Sequence, residues 1–239
     1  LMFLFNKNTQ VYVTQGFIAS TIDNKSCILT RSGSDTTASL IASSINAKRL
    51  EIWSDVDGIY TADPRIVGDA KVIRCVNYDI CQELSAWGTK VIHPYCIKPC
   101  QNENIPIYIR NTNNPDSDIF TKITNCNKNT NNTVYSIVNQ KNITVYEIES
   151  TDMWQNWGFV KDIFEVFTKY NIDVNIITTS LFSITTTTDE ISDTKKQQTL
   201  QELQTRYKVN MIENCSIISL VANDVLKNVR LNNSLEIIN

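Results

Sequence analysis

Two loops of the chain concentrate the residue types that bind charged small molecules. The first, residues 31–37, reads Arg-Ser-Gly-Ser-Asp-Thr-Thr and leads into a segment with helical periodicity. The N–H groups and the dipole at a helix start favour a bound phosphate or carboxylate, and Arg31 offers two parallel hydrogen bonds to a carboxylate. A simple N-cap formed by Ser34 or Asp35 accounts for the same residues. The first loop therefore leaves an anion site and a helix cap as alternatives.

The second loop, residues 53–65, brings acids, an aromatic residue and a cation into one turn-rich segment. It reads Trp-Ser-Asp-Val-Asp-Gly-Ile-Tyr-Thr-Ala-Asp-Pro-Arg. These are the residue types of a nucleotide site, whereas the spacing of the acids does not match an EF-hand calcium loop. A solvated acidic turn at Gly58 is the alternative that composition leaves open.

Thiol, imidazole and metal chemistry are disfavoured. The chain has no Cys-x-x-Cys, and Cys96, Cys100 and the nearby His93 fall short of the four ligands of a zinc site. His93 is the only histidine and precedes Pro94, which favours a turn over membership of a Ser-His-Asp triad. We therefore predict no metal site built from the side chains of the protein alone.

Composition excludes several other classes of function. The 239 residues are 42% hydrophobic and 20% charged, with 22 Lys and Arg against 25 Asp and Glu. A net charge of -3 disfavours nucleic acid and anionic membranes as partners. The apolar residues 1–5 are too few for a membrane span or a signal peptide. Seven cysteines, an odd number, favour a reducing compartment over a disulfide framework, so we expect a cytoplasmic location.

The elements that precede and follow the two loops are those of an α/β domain. Apolar and β-branched residues predict strands over residues 11–18, 26–29, 50–53 and 105–109. Apolar stripes predict a helix over 36–46, with Ser34 and Asp35 as caps, and shorter helices over 79–87 and 97–102. The second loop follows the strand over 50–53, and α/β sheets bind ligands at such strand ends.

The second half of the chain has a different pattern. Residues 124–133 are almost wholly Asn, Thr and Lys, which is typical of a linker. Beyond them, periodicity predicts strand, helix, strand, strand, helix and strand over 143–148, 159–170, 174–179, 182–187, 195–207 and 216–221. This β-α-β-β-α-β order is the ferredoxin-like arrangement. We therefore predict domains over 1–123 and 134–239, joined by a linker over 124–133.

Several motifs of the first half resemble, in order and spacing, the C-terminal part of the aspartate kinase (aspartokinase) catalytic domain. They are Gly16-Phe-Ile-Ala19, Arg31-x-Gly-Ser-Asp35, Glu51-Ile-Trp-Ser-Asp-Val-Asp-Gly-Ile-Tyr-Thr-Ala-Asp-Pro-Arg65, Gly88-Thr-Lys-Val-Ile-His-Pro94, and Ile105-Pro106 before Asn113-Asn-Pro115. The resemblance continues into an ACT regulatory domain at Asp152-Met-Trp-Gln-Asn-Trp-Gly-Phe159 and Asn171-Ile-Asp-Val-Asn-Ile-Ile-Thr-Thr-Ser180. It is greatest for the monofunctional lysine-sensitive members.

The resemblance implies part of an amino-acid-kinase α/β/α sandwich followed by a ferredoxin-like ACT domain. It implies ATP-dependent phosphorylation of the β-carboxylate of L-aspartate, the first step of lysine, threonine and methionine synthesis. By the same resemblance Arg31 and Ser34 bind aspartate, and Asp35 organises the reacting centre. Mg²⁺ neutralises the triphosphate. The ATP site takes Ser54, Asp55, Tyr60, Arg65 and Lys90, of which Lys90 reaches the phosphates and is catalytic together with Asp35.

For the ACT domain, the resemblance implies an amino-acid effector and pairing of two copies into a homodimer. The residues at effector positions are Met153, Asn156, Phe159, Val160, Val174, Asn175, Ser180 and Leu181. Serine, aspartate and glutamate are usual where Asn156, Asn175 and Leu181 stand. Losing two carboxylates removes the partners of an ε-ammonium group, so we expect lysine to bind weakly. A neutral effector, or none, fits these residues better.

The sequence also departs from the family pattern. Glycine is usual at the positions of Thr30 and Ser32, and a side chain there restricts the backbone. The Lys-Phe-Gly-Gly-Thr-Ser motif of the family's N-terminal segment is not found in these residues, and the second ACT unit stops after Asn223. We expect an incomplete or split kinase, inactive by itself. The alternative function is a noncatalytic ACT-containing module with a kinase remnant. The alternative to a cytoplasmic location is a plastid, if a targeting segment precedes these residues.

Overall fold

The computed structural model describes residues 9–29, 32–89, 91–125, 134–150 and 158–222. The chain divides into two compact units, Leu1–Val138 with Ser219–Asn239, and Asn139–Ile218. No helix in these described ranges is long and apolar enough to cross a membrane.

The first unit alternates strands and helices. Its elements are β1 (Ile18–Ser20), β2 (Ser26–Ile28), α1 (Gly33–Ser44), β3 (Leu50–Ser54), β4 (Cys75–Val76), α2 (Tyr78–Ala86), α3 (Pro94–Asn102), β5 (Ile107–Asn111) and β6 (Thr121–Ile123). β1 and β2 form an antiparallel pair. The other four strands form one sheet in the order β3-β5-β6-β4. β3 and β5 are parallel, so their carboxyl ends lie side by side at one edge of the sheet.

Alternation along the strands of the sheet separates a core face from an outer face. Leu50 and Ile52 of β3, Ile107 and Ile109 of β5, and Ile123 of β6 are all buried in one cluster. Trp53, which follows Ile52, is 42% exposed, because successive side chains of a strand point to opposite faces. The same cluster includes buried residues of the three helices, so the helices and the sheet share one core.

The second unit has the predicted ferredoxin-like order. Its elements are β7 (Val134–Glu149), α4 (Phe159–Lys169), β8 (Val174–Thr179), β9 (Ser183–Thr188), α5 (Asp193–Gln204) and β10 (Lys208–Ala222). The start of β7, up to Val138, and the end of β10, from Ser219, belong to the first unit. The sheet order is β10-β7-β9-β8. The apolar stripe of α4, with Phe159, Ile163 and Phe167, is buried against Tyr146 and Ile148 of β7. The α/β fold class expected from the sequence is therefore confirmed, including the β-α-β-β-α-β unit.

Some predicted elements are wrong in position. The strand expected over residues 11–18 is reduced to β1, and Val11 and Val13 are 75% and 95% exposed, since β propensity without a pairing strand does not form a sheet. α1 begins at Gly33 and its N-cap is Ser32, so Ser34 and Asp35 lie in its first turn and are not the cap. β5 starts two residues later than expected, after Pro106, which has no N–H to donate.

The cysteines show mainly structural roles. Cys27, Cys81, Cys96, Cys100 and Cys215 are free thiols. Cys75 is disulfide-bonded, which the odd cysteine count gave no reason to expect. The sequence therefore predicted the free thiols correctly and missed one disulfide.

Candidate functional site

The end of β3 carries the first residues of the predicted nucleotide loop. Ser54 is the last residue of β3, and its Oγ donates to Oδ1 of Asp55 at 3.1 Å. The carbonyl oxygen of Ser54 accepts from the N–H of Thr112 at 2.8 Å and from its Oγ1 at 2.6 Å. Thr112 follows the last residue of β5. The two parallel strand ends are thus joined where α/β sheets bind ligands.

Tyr60 is oriented by the same two loops. Its Oη donates to Oδ2 of Asp57 at 2.9 Å, and Nδ2 of Asn111 donates to Oδ1 of Asp57 at 2.9 Å. Burial is the main reason that the pKa of Tyr60 is raised, and the hydrogen bond to Asp57 adds to it. The phenol therefore keeps its hydrogen through the neutral pH range.

Gly58 allows this loop to approach the sheet. Its φ is +156°, and a Cβ there would lie 2.3 Å from Oγ1 of Thr121. Thr121 Oγ1 accepts from the N–H of Ile59 at 2.8 Å and donates to the carbonyl of Ile73 at 2.7 Å. The residue between Asp57 and Ile59 thus has to be one without a side chain.

Arg65 is paired within its own loop. Its Nε and one terminal nitrogen donate to the two oxygens of Asp63, each at 3.0 Å. The hydrogen-bonded carboxylate of Asp63 raises the pKa of Arg65, and the charge of Asp55 adds a smaller effect in the same direction. The structure thus brings Ser54, Asp55 and Arg65 into one loop. Lys90 lies outside the described residues.

The start of α1 forms the other candidate group. Ser32, the N-cap, has φ 55° and ψ 33°, a left-handed conformation that glycine adopts without strain. Gly16 packs against the first turn of α1, where an added Cβ would lie 2.9 Å from Cα of Ser34. The N–H of Phe17 donates to Oγ1 of Thr37 at 3.1 Å. The first loop is therefore closely packed on the segment that carries the Gly16 motif. Thr30 and Arg31 lie outside the described residues.

Asp35 lies close to the start of α3. Burial raises the pKa of the Asp35 carboxyl, and His93 partly offsets this. His93 is the N-cap of α3, with Nδ1 accepting from the N–H of Tyr95 at 3.3 Å, so it caps a helix where the sequence predicted a turn. The thiol of Cys96 donates to the carbonyl of Asp35 at 3.3 Å. Asp35 is thus held at the junction of two helix starts.

The buried thiols near these residues are unreactive. Burial raises the pKa of Cys81 to about 12 and raises the pKa of Cys96 as well, so both stay protonated at neutral pH. Within the described ranges, no group of three or more His, Cys, Asp or Glu side chains is placed to hold a metal ion.

Among the predicted effector positions in the second unit, two are apolar and packed. Phe159 is buried, and its ring meets that of Tyr207 edge to face at 5.0 Å. Val174 packs against the same core. Val160 is 47% exposed at the start of α4. Met153 and Asn156 lie outside the described residues.

The remaining effector positions, Asn175, Ser180 and Leu181, lie on β8 and the turn that follows it. Nδ2 of Asn175 donates to Oδ1 of Asp189 at 2.7 Å, and Nε2 of Gln140 donates to the same oxygen at 2.5 Å. Ser180 Oγ lies 2.7 Å from Oγ of Ser183 across the turn, and Leu181 is 65% exposed. A carboxylate is therefore present beside position 175, although residue 175 itself is neutral.

Sequence reasoning did not single out Asp57, Asn111, Thr112 or Asp189. The signal for Asn111 and Thr112 is present, because they follow the buried Ile107–Ile109 stretch just as Ser54 and Asp55 follow Leu50–Ile52. For Asp189 the sequence holds no such signal, since its contact with Asn175 depends on the pairing of β8 with β9.

Comparisons with known proteins agree with this geometry. A family model described as the amino acid kinase family matches residues 1–111. Lysine-sensitive aspartokinase 3 of Escherichia coli (strain K12) is 33% identical over 234 residues, which cover 95% of this chain and 51% of that protein. Aspartokinase 3, chloroplastic, of Arabidopsis thaliana is 33% identical over 229 residues, covering 92% of this chain and 40% of that protein. The chain spans about half the length, or less, of these relatives.

Solved structures give the same result. The crystal structure of E. coli aspartokinase III in complex with lysine and aspartate matches with a TM-score of 0.79 and 33% identity, over 93% of this chain and 51% of that one. The aspartate kinase of Clostridium acetobutylicum matches with a TM-score of 0.78 and 30% identity, over 92% of this chain and 52% of that one. In fold, in its two loops and in sequence, the chain is therefore similar to aspartokinases over most of its length.

Proposed function

We propose that this chain supplies the nucleotide side of an aspartate kinase, which transfers a phosphoryl group from ATP to the β-carboxylate of L-aspartate and forms 4-phospho-L-aspartate. This is the first step of lysine, threonine and methionine biosynthesis. The observation that carries the proposal is the loop Ser54–Arg65, held at the carboxyl ends of two parallel strands by Thr112 and Asn111. A related crystal structure, 32% identical to this chain, is that of E. coli aspartokinase III in complex with aspartate and ADP.

Each candidate residue has a role that suits phosphoryl transfer, which depends mainly on positioning and on cationic stabilisation. Arg31 and Ser34 bind the substrate aspartate, and Asp35 organises the reacting centre. The other contacts are made to ATP, by Ser54, Asp55, Tyr60, Arg65 and Lys90. In this proposal Lys90 reaches the phosphates of ATP with its positive charge.

Mg²⁺ fits the donors of this loop. Ser54 and Asp55 present hydroxyl and carboxylate oxygens next to each other, which are ligands that Mg²⁺ prefers. Because Mg²⁺ usually keeps several waters and binds nucleotide phosphates, one or two such residues suffice to hold it. When bound, the ion neutralises charge on the triphosphate.

The 239-residue chain by itself should form no aspartyl phosphate. Positioning supplies most of the catalysis of phosphoryl transfer, and the chain spans about half of its relatives, so the positioning groups are incomplete. Trapping the acyl phosphate with hydroxylamine, in the presence of MgATP and L-aspartate, measures this. Product formation that Asp55→Ala abolishes would show that these residues are sufficient.

A noncatalytic module with a kinase remnant is the second candidate. Ser32 adopts a left-handed conformation that costs a non-glycine residue about 1–2 kcal/mol, in a loop where the family has glycine. A loop strained in this way suits a chain that no longer performs catalysis. In that case the module binds an amino acid or a full-length partner and no nucleotide.

We further propose that the second unit is an ACT regulatory domain of the monofunctional lysine-sensitive type, altered in its effector. Backbone N–H groups at the start of α4 suit the α-carboxylate of an amino acid. Asn175 and Leu181 provide no charge for a lysine side chain, and the nearby Asp189 carboxylate already accepts from Asn175 and Gln140, so a neutral effector fits better. The domain division 1–123, 124–133 and 134–239 belongs to the same proposal.

Two copies should associate through their ACT domains into a homodimer. β8 and β10 are the outer strands of the second sheet, and outer strands offer unpaired backbone groups to a second sheet. Ile177 of β8 and Ile218 of β10 are 50% and 66% exposed. Sedimentation at high micromolar concentration should show a dimer, whereas a monomer with and without added amino acids would contradict this proposal.

The proposed cell compartment rests only on the organisms and compartments named for the relatives. A cytoplasmic location accords with the bacterial relatives, and a plastid location with the chloroplastic ones.

A further inference from the structure

The hydrogen bond between Tyr60 and Asp57 fixes the direction of the Tyr60 hydroxyl. Oη of Tyr60 lies 2.9 Å from Oδ2 of Asp57. An aspartate carboxylate accepts hydrogen bonds and donates none, so the single hydrogen of the phenol is committed to Asp57. Toward a ligand, the Tyr60 oxygen therefore acts only as an acceptor.

Asn111 fixes the carboxylate in turn. Its Nδ2 donates to Oδ1 of Asp57 at 2.9 Å, while its own Oδ1 accepts from the N–H of Asn113 at 2.9 Å. These two contacts define the orientation of the amide, because only its nitrogen can donate. Asn111 pairs with Ser54 in the register of β5 and β3. Asp57 is thus anchored to the sheet and does not depend on its own loop alone.

The backbone of Tyr60 is held as well. Ser136 Oγ donates to the carbonyl of Tyr60 at 2.9 Å, and Tyr60 forms an antiparallel bridge with Val72. The side chain is half-buried between these contacts. Both ends of Tyr60 are therefore fixed before any ligand binds.

We propose that Asp57 and Asn111 are positioning residues of the nucleotide site, which make Tyr60 an acceptor for a hydrogen-bond donor group of the nucleotide. The inference rests on the proposed function. The 6-amino group of adenine and the ribose hydroxyls are donors of this kind, whereas guanine O6 and the phosphate oxygens accept only. Tyr60 thus contacts the nucleoside part of ATP and selects against nucleotides that present an acceptor at that place.

Asp57→Asn tests the inference because it reverses the direction of the hydrogen bond between Tyr60 and residue 57. Asn111 Nδ2 requires an acceptor, so the new amide turns its oxygen to Asn111 and its nitrogen to Tyr60. Tyr60 Oη then accepts from residue 57, and its hydrogen is free to point at the ligand. The shape of the side chain is unchanged. Tyr60→Phe removes the hydroxyl and serves as the second variant.

Calorimetric titrations of the 239-residue chain should compare three nucleotides, each as its Mg²⁺ complex. They are ATP, purine riboside triphosphate, which lacks the 6-amino group, and 2′-deoxy-ATP, which lacks one ribose hydroxyl. In the unmodified chain we expect one analogue to bind about tenfold more weakly than ATP, which identifies the donor as base or ribose. In Tyr60→Phe and in Asp57→Asn that difference should shrink to about twofold or less. Asp69→Asn removes the same negative charge at an exposed position of the same unit, and this control variant should keep the tenfold difference.

The outcomes separate this inference from the proposed function. A chain that binds no MgATP contradicts the proposed function and the inference together. A chain that binds MgATP, but discriminates equally before and after both Asp57→Asn and Tyr60→Phe, contradicts the inference alone. Unchanged melting temperatures for the two variants exclude loss of folding as the cause of a reduced difference.

Discussion

Gly58→Ala should lower the free energy of unfolding of the first unit by about 2–4 kcal/mol. The added Cβ would lie 2.3 Å from Oγ1 and 3.0 Å from the backbone nitrogen of Thr121, and the φ of +156° is one that alanine rarely adopts. Thr121 has little freedom to move, because its Oγ1 is hydrogen-bonded to both Ile59 and Ile73. Strain and overlap therefore act together. Chemical denaturation monitored by fluorescence measures the change.

Gly68→Ala is the matched control for this substitution. A Cβ at Gly68 would meet no atom within 4 Å, and its φ lies outside the left-handed range. Its effect should be within about 0.5 kcal/mol of zero. If Gly58→Ala were as mild as Gly68→Ala, the packing of the nucleotide loop against β6 would differ from the one described.

Asn175→Asp combined with Leu181→Glu should raise the affinity for lysine by about tenfold or more. The two substitutions restore carboxylates at positions where the family has them, and an ammonium group that leaves water needs such partners. The structure adds a further reason. A carboxylate at position 175 would face Asp189, whose Oδ1 lies 2.7 Å from the Asn175 amide, and a bound ammonium group would relieve their repulsion.

The matched control adds two negative charges elsewhere in the second unit. Gln197→Glu with Gln198→Glu places them on the exposed surface of α5, and lysine affinity should change little. Calorimetry with lysine, threonine and methionine compares the three proteins. If the unmodified chain binds lysine at least as tightly as the Asn175 and Leu181 double variant, the charge argument is wrong and lysine becomes the leading candidate effector.

The sequence predicted most elements because their periodicity is local. The stripe of α4 and the alternation of Ile107 and Ile109 are readable without knowledge of partners, and the resemblance to a known family gave the order of the units. β4 and β6 were missed because strands of two and three residues carry almost no pattern. Most of the strand expected over residues 11–18 failed for the opposite reason, since Val11 and Val13 have β propensity but lie outside any strand.

The sequence predicted which residue types form the candidate site, but it predicted less of the contacts between them. Ser54, Asp55 and Tyr60 follow a buried strand, which the sequence shows directly. The hydrogen bond from Asn111 to Asp57, the acceptor of the Tyr60 hydroxyl, depends on β3 and β5 being parallel neighbours, which no local pattern encodes. The pairing of Asn175 with Asp189 depends on cross-strand register in the same way.

Titration of MgATP into the 239-residue chain tests the proposed nucleotide site most directly. We predict saturable binding that Lys90→Ala weakens by about 1–3 kcal/mol, because a charge-assisted contact to phosphate is lost. Lys48→Ala, an exposed lysine of the same unit outside both loops, should leave the affinity unchanged. Absence of MgATP binding, or binding that Lys90→Ala leaves as tight as before, would contradict the account and favour the noncatalytic module.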